Sequence, residues 1–518
     1  MSHEIRTPLN GIIGFTDLLL KSPLNKTQLQ YADNVNTAGL SLLGIINDIL
    51  DFSKIEAGKM ELDFISTDII DLTEQAADII KYHAAKKKLE LLLNIQPDLP
   101  RFAITDPVRL RQILVNLLGN AVKFTETGEV ELKVTFSKSD EKKGFLSFAV
   151  RDTGIGINTE QQSKLFKAFS QADTSTTRKF GGTGLGLTIS NMLAEKMGSK
   201  IQINSEIGKG STFFFSIETE FEMGDKLDPQ MLSDVKSVLV IDDNDNNRLI
   251  LEHTFRNWGI SYTGVNSGED AINLIKQPHL FDVIIVDYNM PELNGIDTVR
   301  IIRENLGINA DKQPIILLHS SSDETDIYNE CKKLGIRFNL IKPVKSQELL
   351  NYLKNLHSQP VTETKTFELI AHRDSFEISD KISPVILVVE DVTMNMLLVT
   401  TLIKQIVPNA VVLKAKNGRE AFGLVKENNP ALIFMDIQMP EMDGIEATIQ
   451  IRKLEQETAG HIPIIALTAG AIKGEEEKCR EVGMDDFLTK PIAHDALFKV
   501  LQKYLTVKLN NLKPPRNV

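Results

Sequence analysis

Three acidic residues and one lysine follow apolar runs between residues 238 and 342. Asp242 and Asp243 follow the run VLVI, Asp287 follows VIIV, and Lys342 follows FNLI. The carboxyl ends of parallel strands meet in one crevice, so these side chains should converge. Three carboxylates there repel one another unless a hard cation such as Mg²⁺ neutralises them. Asp287 could then attack a phosphoryl group, with Lys342 pairing with the transferred phosphate.

The same set occurs a second time, 148 or 149 residues later. Its members are Glu390, Asp391, Asp436 and Lys490. A fixed offset between chemically similar positions indicates a duplicated domain. A single Asp after a strand is usually the N-cap of the next helix. That explanation does not account for a set of four that is repeated.

Each copy alternates apolar, strand-like runs with helical segments, which predicts a parallel sheet covered on both faces. We therefore expect doubly wound α/β domains at 236–355 and 384–506, a linker at 356–383 and a tail at 507–518. Cys331 and Cys479 are also 148 residues apart. They are interpreted as small, buried helix residues at equivalent places in the two copies.

Residues 61–222 alternate strand and helix signals and form a third domain. Asn116, Asn120 and Lys123 share one helix face at spacings of four and three. An asparagine pair on a helix is usually only a solvated face. Alternatively, the amide oxygens could ligand Mg²⁺, with Asn120 as the metal ligand, and the lysine could reach a phosphate.

Glycine-rich loops in the same domain offer room for a nucleotide. Asp152 ends a strand in DTGIGI, where its carboxylate could accept from an adenine amino group while Gly154 and Gly156 let the backbone approach. GKGST, which contains Thr212, follows later. Three glycines of GGTGLGL precede a helix whose free N–H groups favour phosphate, namely Gly182, Gly184 and Gly186.

The first 60 residues are predicted to form two antiparallel helices. The second has a seam at spacings of three and four, typical of a helical bundle: Val35, Ala38, Leu42, Ile45, Ile49 and Phe52. The first helix is shorter, so roughly 15 Å of the second lacks a partner. Ile49, Phe52 and Ile55 would then be exposed. We expect the chain to be the C-terminal part of a longer one, or its start to be misplaced.

Composition narrows the class of protein. A length of 518 residues suits about three or four domains. The net charge of −12 argues against direct nucleic-acid binding, and the sequence has no uninterrupted apolar window of membrane-spanning length. Two cysteines suit a reducing compartment. We expect this segment to be cytoplasmic, with any membrane anchor of the parent in its missing N-terminal part.

The duplicated domain resembles the response-regulator receiver domain, on the motifs IDD, VDYNMPELNG and IKP and on VED, MDIQMPEMDG, LTAGA and TKP. The resemblance implies phosphate acceptance by Asp287 and Asp436. It implies Mg²⁺ binding by the acidic pairs, helped by the carbonyls of Asn289 and Gln438. Thr468 matches the residue whose hydroxyl turns toward the phosphate. His319 stands at that place in the first copy and departs from the pattern.

The third domain resembles the ATP-binding domain of the histidine kinase, gyrase and Hsp90 superfamily. The motifs are the Asn-containing helix, DTGIGI, LFKAF, GGTGLGL and GKGST. The start, MSHEIRTPLNGI, resembles the phosphoacceptor motif of sensor histidine kinases. By that resemblance His3 is the nucleophile, Glu4 its base, and Thr7 positions water for dephosphorylating a receiver.

These features predict the core of a hybrid sensor histidine kinase, using ATP and Mg²⁺. The expected folds are a bundle-forming α-helical hairpin at 1–60, an α/β sandwich of Bergerat type at 61–222, and two flavodoxin-like receivers. Expected partners are a second copy of the chain, bound through the hairpin, a separate histidine phosphotransfer protein and a downstream response regulator. Alternatives are a non-catalytic phospho-acceptor scaffold, a net receiver phosphatase and, weakest, an isolated ATPase of the gyrase class.

Overall fold

A computed structural model describes most of the chain. The described residues are 2–20, 22–166, 184–224, 232, 235–276, 281–310, 312–320, 324–336, 338–356, 383–458, 460–468, 478–490, 492 and 494–510. They form two compact units, residues 1–46 with 360–518 and residues 47–359. Most of the predicted linker 356–383, most of the tail and Gly182 lie outside the described residues.

Two long helices open the chain, α1 (Ser2–Leu20) and α2 (Lys26–Glu56). The Asn25 side chain accepts from the N–H of Gln28 at 2.9 Å and so caps α2. The helices contact at Gly39, where a Cβ would lie 2.9 Å from Ile13 Cγ1. The predicted seam is not the face that meets α1. Four of its members are 38–48% exposed: Val35, Leu42, Ile45 and Ile49.

The predicted exposure at the end of α2 is wrong for two residues of three. Ile55 is only 8% exposed and belongs to the core of the third domain, which is predicted to bind ATP and is called the ATP-binding domain below, and Phe52 packs against that core. Asp51 accepts from Arg109 at 3.1 Å and from Gln112 at 2.9 Å. The end of α2 extends beyond α1 but packs on the next domain, which covers Phe52 and Ile55. Ile49 is exposed, as expected.

The ATP-binding domain is a seven-stranded sheet in the order β1-β3-β7-β5-β4-β2, with β6 paired to β7. Helices α3 and α4 pack together, and α6 packs on α4. Asp68 and Asp106 cap α3 and α4, with Pro107 in the first turn. The strands are β1 (Ile65–Asp68), β2 (Glu90–Ile95), β3 (Phe102–Thr105), β4 (Glu129–Lys138), β5 (Lys143–Asp152), β6 (Gln202–Glu206) and β7 (Gly210–Glu222). The helices are α3 (Ile69–Lys86), α4 (Pro107–Phe124), α5 (Thr159–Gln162) and α6 (Gly186–Lys196).

The first receiver, hereafter receiver 1, is a parallel sheet in the order β12-β11-β10-β8-β9. Its strands are β8 (Ser237–Ile241), β9 (Ser261–Val265), β10 (Val283–Asp287), β11 (Ile315–His319) and β12 (Phe338–Ile341). Its helices are α7 (Asp245–Asn257), α8 (Gly268–Ile275), α9 (Gly295–Arg300, followed by a π-helical turn over Ile301–Asn305), α10 (Glu324–Leu334) and α11 (Ser346–Lys354).

The second receiver, receiver 2, repeats this order as β14-β13-β15-β16-β17. Its strands are β13 (Val385–Val389), β14 (Val411–Ala415), β15 (Leu432–Asp436), β16 (Ile464–Thr468) and β17 (Asp486–Thr489). Its helices are α12 (Thr393–Ile406), α13 (Gly418–Asn428), α14 (Gly444–Thr458) and α15 (His494–Asn510). Every residue of the central strands β10, β11, β15 and β16 is buried, which explains their unbroken apolar runs.

The predicted fold class is confirmed for all of these domains. Cys331 and Cys479 are both buried, in the two receivers. Among the described helices, none combines the length and hydrophobicity needed to cross a lipid bilayer.

Candidate functional site

The acidic set of receiver 1 lies at the carboxyl ends of β8 and β10. Asp242, Asp243 and Asp287 each offer an oxygen within 4.8 Å of the others. Asp242 and Asp287 are buried, and Asp243 is exposed. Lys342, in the loop after β12, places its Nζ 2.7 Å from Asp287 Oδ2 and 3.3 Å from Asp242 Oδ2.

This arrangement suits a divalent cation. Burial raises the pKa of Asp287 to about 7, although Lys342 opposes the shift, and burial also raises the pKa of Asp242. The neighbouring carboxylates raise the pKa of Lys342 even though its burial acts the other way. Asp287 Oδ1 is buried with no hydrogen-bond partner. The single positive charge of Lys342 does not neutralise three carboxylates. The site offers only oxygen donors, one of them buried without a hydrogen bond, and such a set fits Mg²⁺.

Receiver 2 has the same geometry. Glu390, Asp391 and Asp436 offer oxygens within 4.8 Å of one another. Lys490 Nζ lies 2.6 Å from Glu390 Oε2 and 2.6 Å from Asp436 Oδ2. The N–H of Gln438 donates to Asp436 Oδ1 at 3.3 Å. Burial raises the pKa of Asp436 to about 6, opposed by Lys490.

A glycine eight residues after Asp287, and another eight residues after Asp436, lets each loop fold back on the strand end. A Cβ at Gly295 would lie 2.2 Å from the carbonyl oxygen of Asp287, and one at Gly444 would lie 2.1 Å from that of Asp436. Their N–H groups donate at 3.0 Å to Tyr288 and Ile437 in the two copies. The final glycine of each MPELNG or MPEMDG motif is therefore required by close backbone approach.

His319 and Thr468 occupy equivalent places at the ends of β11 and β16. Both are 1% exposed. Their backbone carbonyls accept from the N–H groups of Lys342 at 2.8 Å and Lys490 at 2.7 Å. His319 Nδ1 lies 2.9 Å from the carbonyl oxygen of Ser320, and its Nε2 is buried without a hydrogen-bond partner. An imidazole thus replaces the hydroxyl in receiver 1.

Several residues that the sequence predicts to bind a nucleotide lie around Asp152 at the end of β5. Asp152 is 6% exposed, and its Oδ1 accepts from the N–H of Gly154 at 2.8 Å and of Ser211 at 3.2 Å. Burial raises the pKa of this carboxyl. Gly156 has φ +69°, and a Cβ there would lie 2.0 Å from the carbonyl oxygen of Glu206. Thr212 lies beside Arg151 in the register of β7 and β5.

Helix α4, which carries the two asparagines, packs against α6. Asn116 Nδ2 donates to Ser190 Oγ on α6 at 2.8 Å, and Gly186 gives Asn116 its room, since a Cβ there would lie 2.6 Å from Asn116 Oδ1. Asn120 and Lys123 follow on α4, half-buried. Burial lowers the pKa of Lys123. Gly184 has φ +71° just before α6.

The predicted nucleophile lies on α1. His3, Glu4 and Thr7 are helical, and Pro8 is inside the same helix. The side chains of His3, Glu4 and Thr7 lie outside the part of the chain that the structure describes.

Sequence reasoning missed three residues of these sites. The N–H of Ser211 completes the cradle of Asp152. Gly210 has φ +101°, and a Cβ there would lie only 1.9 Å from the carbonyl oxygen of Asp152. The motif GKGST contained both, so this signal was available. Glu90 reaches Lys342 from the ATP-binding domain, and no sequence pattern indicates that contact.

Comparison with known domain families covers most of the chain. The model described as "His Kinase A (phospho-acceptor) domain" matches residues 1–58. The model "Histidine kinase-, DNA gyrase B-, and HSP90-like ATPase" matches residues 105–220. The "Response regulator receiver domain" matches twice, at residues 238–354 and 386–502. The chain belongs to the hybrid sensor histidine kinases by this set of domains.

Curated relatives align with nearly the whole chain. The chain is 36% identical to the sensor histidine kinase GacS of Pseudomonas protegens, over 100% of the chain and 55% of that protein. It is 34% identical to the signal transduction histidine-protein kinase BarA of Escherichia coli, over 97% of the chain and 53% of that protein. The chain thus spans about half the length of these relatives.

A solved structure, full-length ShkA in complex with AMPPNP, is similar along nearly the whole chain. The TM-score is 0.55 at 28% identity, covering 97% of this chain and 98% of that one. This similarity supports the fold of the complete domain set.

Proposed function

We propose that this chain is the phosphotransferase core of a phosphorelay. An imidazole nitrogen of His3 attacks the γ-phosphorus of ATP, the bond to the β-phosphate oxygen breaks, and ADP leaves. Glu4 takes or holds the proton of the other ring nitrogen. A carboxylate oxygen of Asp436 or Asp287 then attacks the same phosphorus, the P–N bond breaks, and the imidazole recovers its proton.

The observation that carries the proposal is the repeated acceptor geometry. In each receiver a buried aspartate has a lysine ammonium within 2.7 Å and two further carboxylates beside it. The lysine would pair with the incoming phosphoryl oxygens, and the carboxylates of the acidic pair would hold Mg²⁺. The ion would neutralise charge on the phosphoryl group in transfer.

The nucleotide site supports catalysis by the chain itself. The Asp152 carboxylate accepts two backbone N–H groups and would also accept from an adenine amino group. Asn120 would ligand Mg²⁺ and Lys123 would pair with phosphate. A scaffold without activity has no need of this site. Relay would continue to a separate histidine phosphotransfer protein and a response regulator.

The test is incubation with γ-labelled ATP and Mg²⁺, comparing the parent chain with His3→Gln and with the double variant Asp287→Asn/Asp436→Asn. Phosphohistidine is acid-labile and base-stable, so such label should accumulate in the double variant and be absent from His3→Gln. If label persists in His3→Gln, His3 is not the nucleophile. If nucleotide binds but neither the parent chain nor the double variant takes label, the scaffold alternative replaces the proposal.

A further inference from the structure

Receiver 1 packs on the ATP-binding domain within the unit 47–359. Helix α7 lies against the edge strand β2. The Nδ2 groups of Asn244 and Asn246 donate to Glu129 at 2.9 and 2.7 Å, and Asn247 Nδ2 donates to Glu90 at 3.3 Å. These asparagines directly follow the acidic pair of the receiver. The surface that docks is therefore the edge of the sheet that carries the acceptor site.

Glu90 enters that site. Its Oε2 lies 3.3 Å from Lys342 Nζ, so the lysine is shared among Asp287, Asp242 and a carboxylate of the other domain. The Lys342 side chain is only 9% exposed, which leaves it little access to other partners. In receiver 2, by contrast, the ion pairs of Lys490 are with Glu390 and Asp436 of the same domain.

Phosphorylation would change this balance. A phosphoryl group adds about −1.5 to −2 charges and strong acceptor oxygens. On Asp287 it would take Lys342 as its counter-ion. Glu90 would then lose Lys342 as its counter-ion and face the charged phosphoryl group, at a distance where like charges repel strongly.

We propose that Glu90 is an intramolecular competitor for the acceptor site of receiver 1. Docking of receiver 1 on the ATP-binding domain and phosphorylation of Asp287 oppose one another. The docked receiver therefore accepts a phosphoryl group slowly, and the phosphorylated receiver separates from β2. The inference rests on the acceptor role of Asp287 proposed above.

The experiment uses the full chain with His3→Gln and Asp436→Asn, so that Asp287 is the remaining acceptor. Labelled acetyl phosphate with Mg²⁺ supplies the phosphoryl group directly, and acetate leaves. Adding Glu90→Gln should speed labelling about five- to tenfold, the effect of losing one charged hydrogen bond. Equal rates with and without Glu90→Gln would overturn the proposal.

Two controls separate this effect from general changes. Glu141→Gln, at the exposed turn between β4 and β5, should label like its parent. In the reciprocal background, His3→Gln with Asp287→Asn, labelling of Asp436 should not respond to Glu90→Gln. Because acetyl phosphate bypasses ATP and His3, these results stand even if autophosphorylation fails. A complete lack of label on Asp287 would refute its acceptor role, and with it this inference.

Amide hydrogen exchange gives a second readout of docking. Beryllium trifluoride, a phosphoryl mimic, is added with Mg²⁺ to the Asp436→Asn chain. Residues 90–95 and 245–257 should exchange faster once the mimic binds, and the chain lacking both acceptor aspartates should show no change. Unaltered exchange with the mimic bound would contradict mutual exclusion.

Discussion

One buried carboxylate, Asp152, is central to the proposed nucleotide site. Its Oδ1 accepts two backbone N–H groups, and we propose that the carboxylate also accepts from an adenine amino group. Asp152→Asn should weaken ATP binding about tenfold or more, because an amide replaces an acceptor by a donor. Titration with a fluorescent ATP analogue measures the change.

The chain offers a matched control for that variant. Asp140 also accepts two backbone N–H groups, from Lys142 and Lys143 at 2.8 Å, but at an exposed turn. Asp140→Asn should leave ATP affinity unchanged. Equal weakening by both variants would mean that the loss at Asp152 is structural.

Glu74 on α3 gives a pH-dependent prediction. Burial raises its pKa from 4.5 to about 7, with Lys345 opposing the shift and Asp78 adding to it. The Glu74 carboxyl therefore binds its proton more tightly in the folded chain than in the unfolded chain. As pH rises from 4.5 through 7, that proton is lost and the contribution of Glu74 to stability falls. Glu74→Gln should therefore raise the free energy of unfolding at pH 8 by about 1–3 kcal/mol, with the gain shrinking toward pH 5.

Thermal unfolding of both chains between pH 5 and 8 checks this. Glu141→Gln, at an exposed site, should show no such trend. A gain from Glu74→Gln that is constant across the pH range would exclude titration as its cause.

At the scale of elements, α1 is the helix on which receiver 2 packs. A Cβ at Gly14 would lie 2.6 Å from Leu398 Cδ2 on α12, and Leu18 packs against the receiver 2 core. Gly14→Gln should displace α12 and slow transfer from His3 to Asp436 by about tenfold, since small misplacements of reacting groups are costly. Labelling of Asp436 by acetyl phosphate should not change.

Gly44 on α2 provides the comparison. A Cβ there meets nothing within 4 Å, so Gly44→Gln keeps the added side chain in solvent. Transfer should match the parent chain. A loss of transfer in both variants would point to altered helices rather than to the contact with Leu398.

The exposed seam of α2 predicts self-association. Leu42 is 47% exposed on this face, and Leu40, 52% exposed, lies on the opposite side of the helix. A second copy of the chain would cover the seam. Leu42→Lys should weaken the dimer about tenfold or more, and Leu40→Lys should change it little. Sedimentation equilibrium measures both, and equal effects would exclude the seam as the interface.

The elements themselves were predictable because their signals are local. Unbroken apolar runs became the buried strands β10 and β15, and the repeat predicted the two groups of carboxylates that the structure brings together. The burial of Ile55 and the contact of Glu90 with Lys342 were not predictable. The latter joins residues 252 apart in sequence, and only the packing of two domains sets the distance between them.

For the whole molecule, the division of the domains between the two units predicts which receiver accepts first. Receiver 2 shares a unit with α1, the helix that carries His3, and packs on it. Receiver 1 shares a unit with the ATP-binding domain, where Glu90 competes for Lys342. Asp436 should therefore take the phosphoryl group first.

The single acceptor variants test this order with γ-labelled ATP. Asp436→Asn should raise the acid-labile, base-stable label on His3 several-fold, because the fast outlet is closed. Asp287→Asn should leave that label near the parent level. The two variants control for each other, since each replaces one buried carboxylate by an amide beside a lysine. Greater accumulation in Asp287→Asn would reverse the order and show that docking on the ATP-binding domain does not keep receiver 1 from His3.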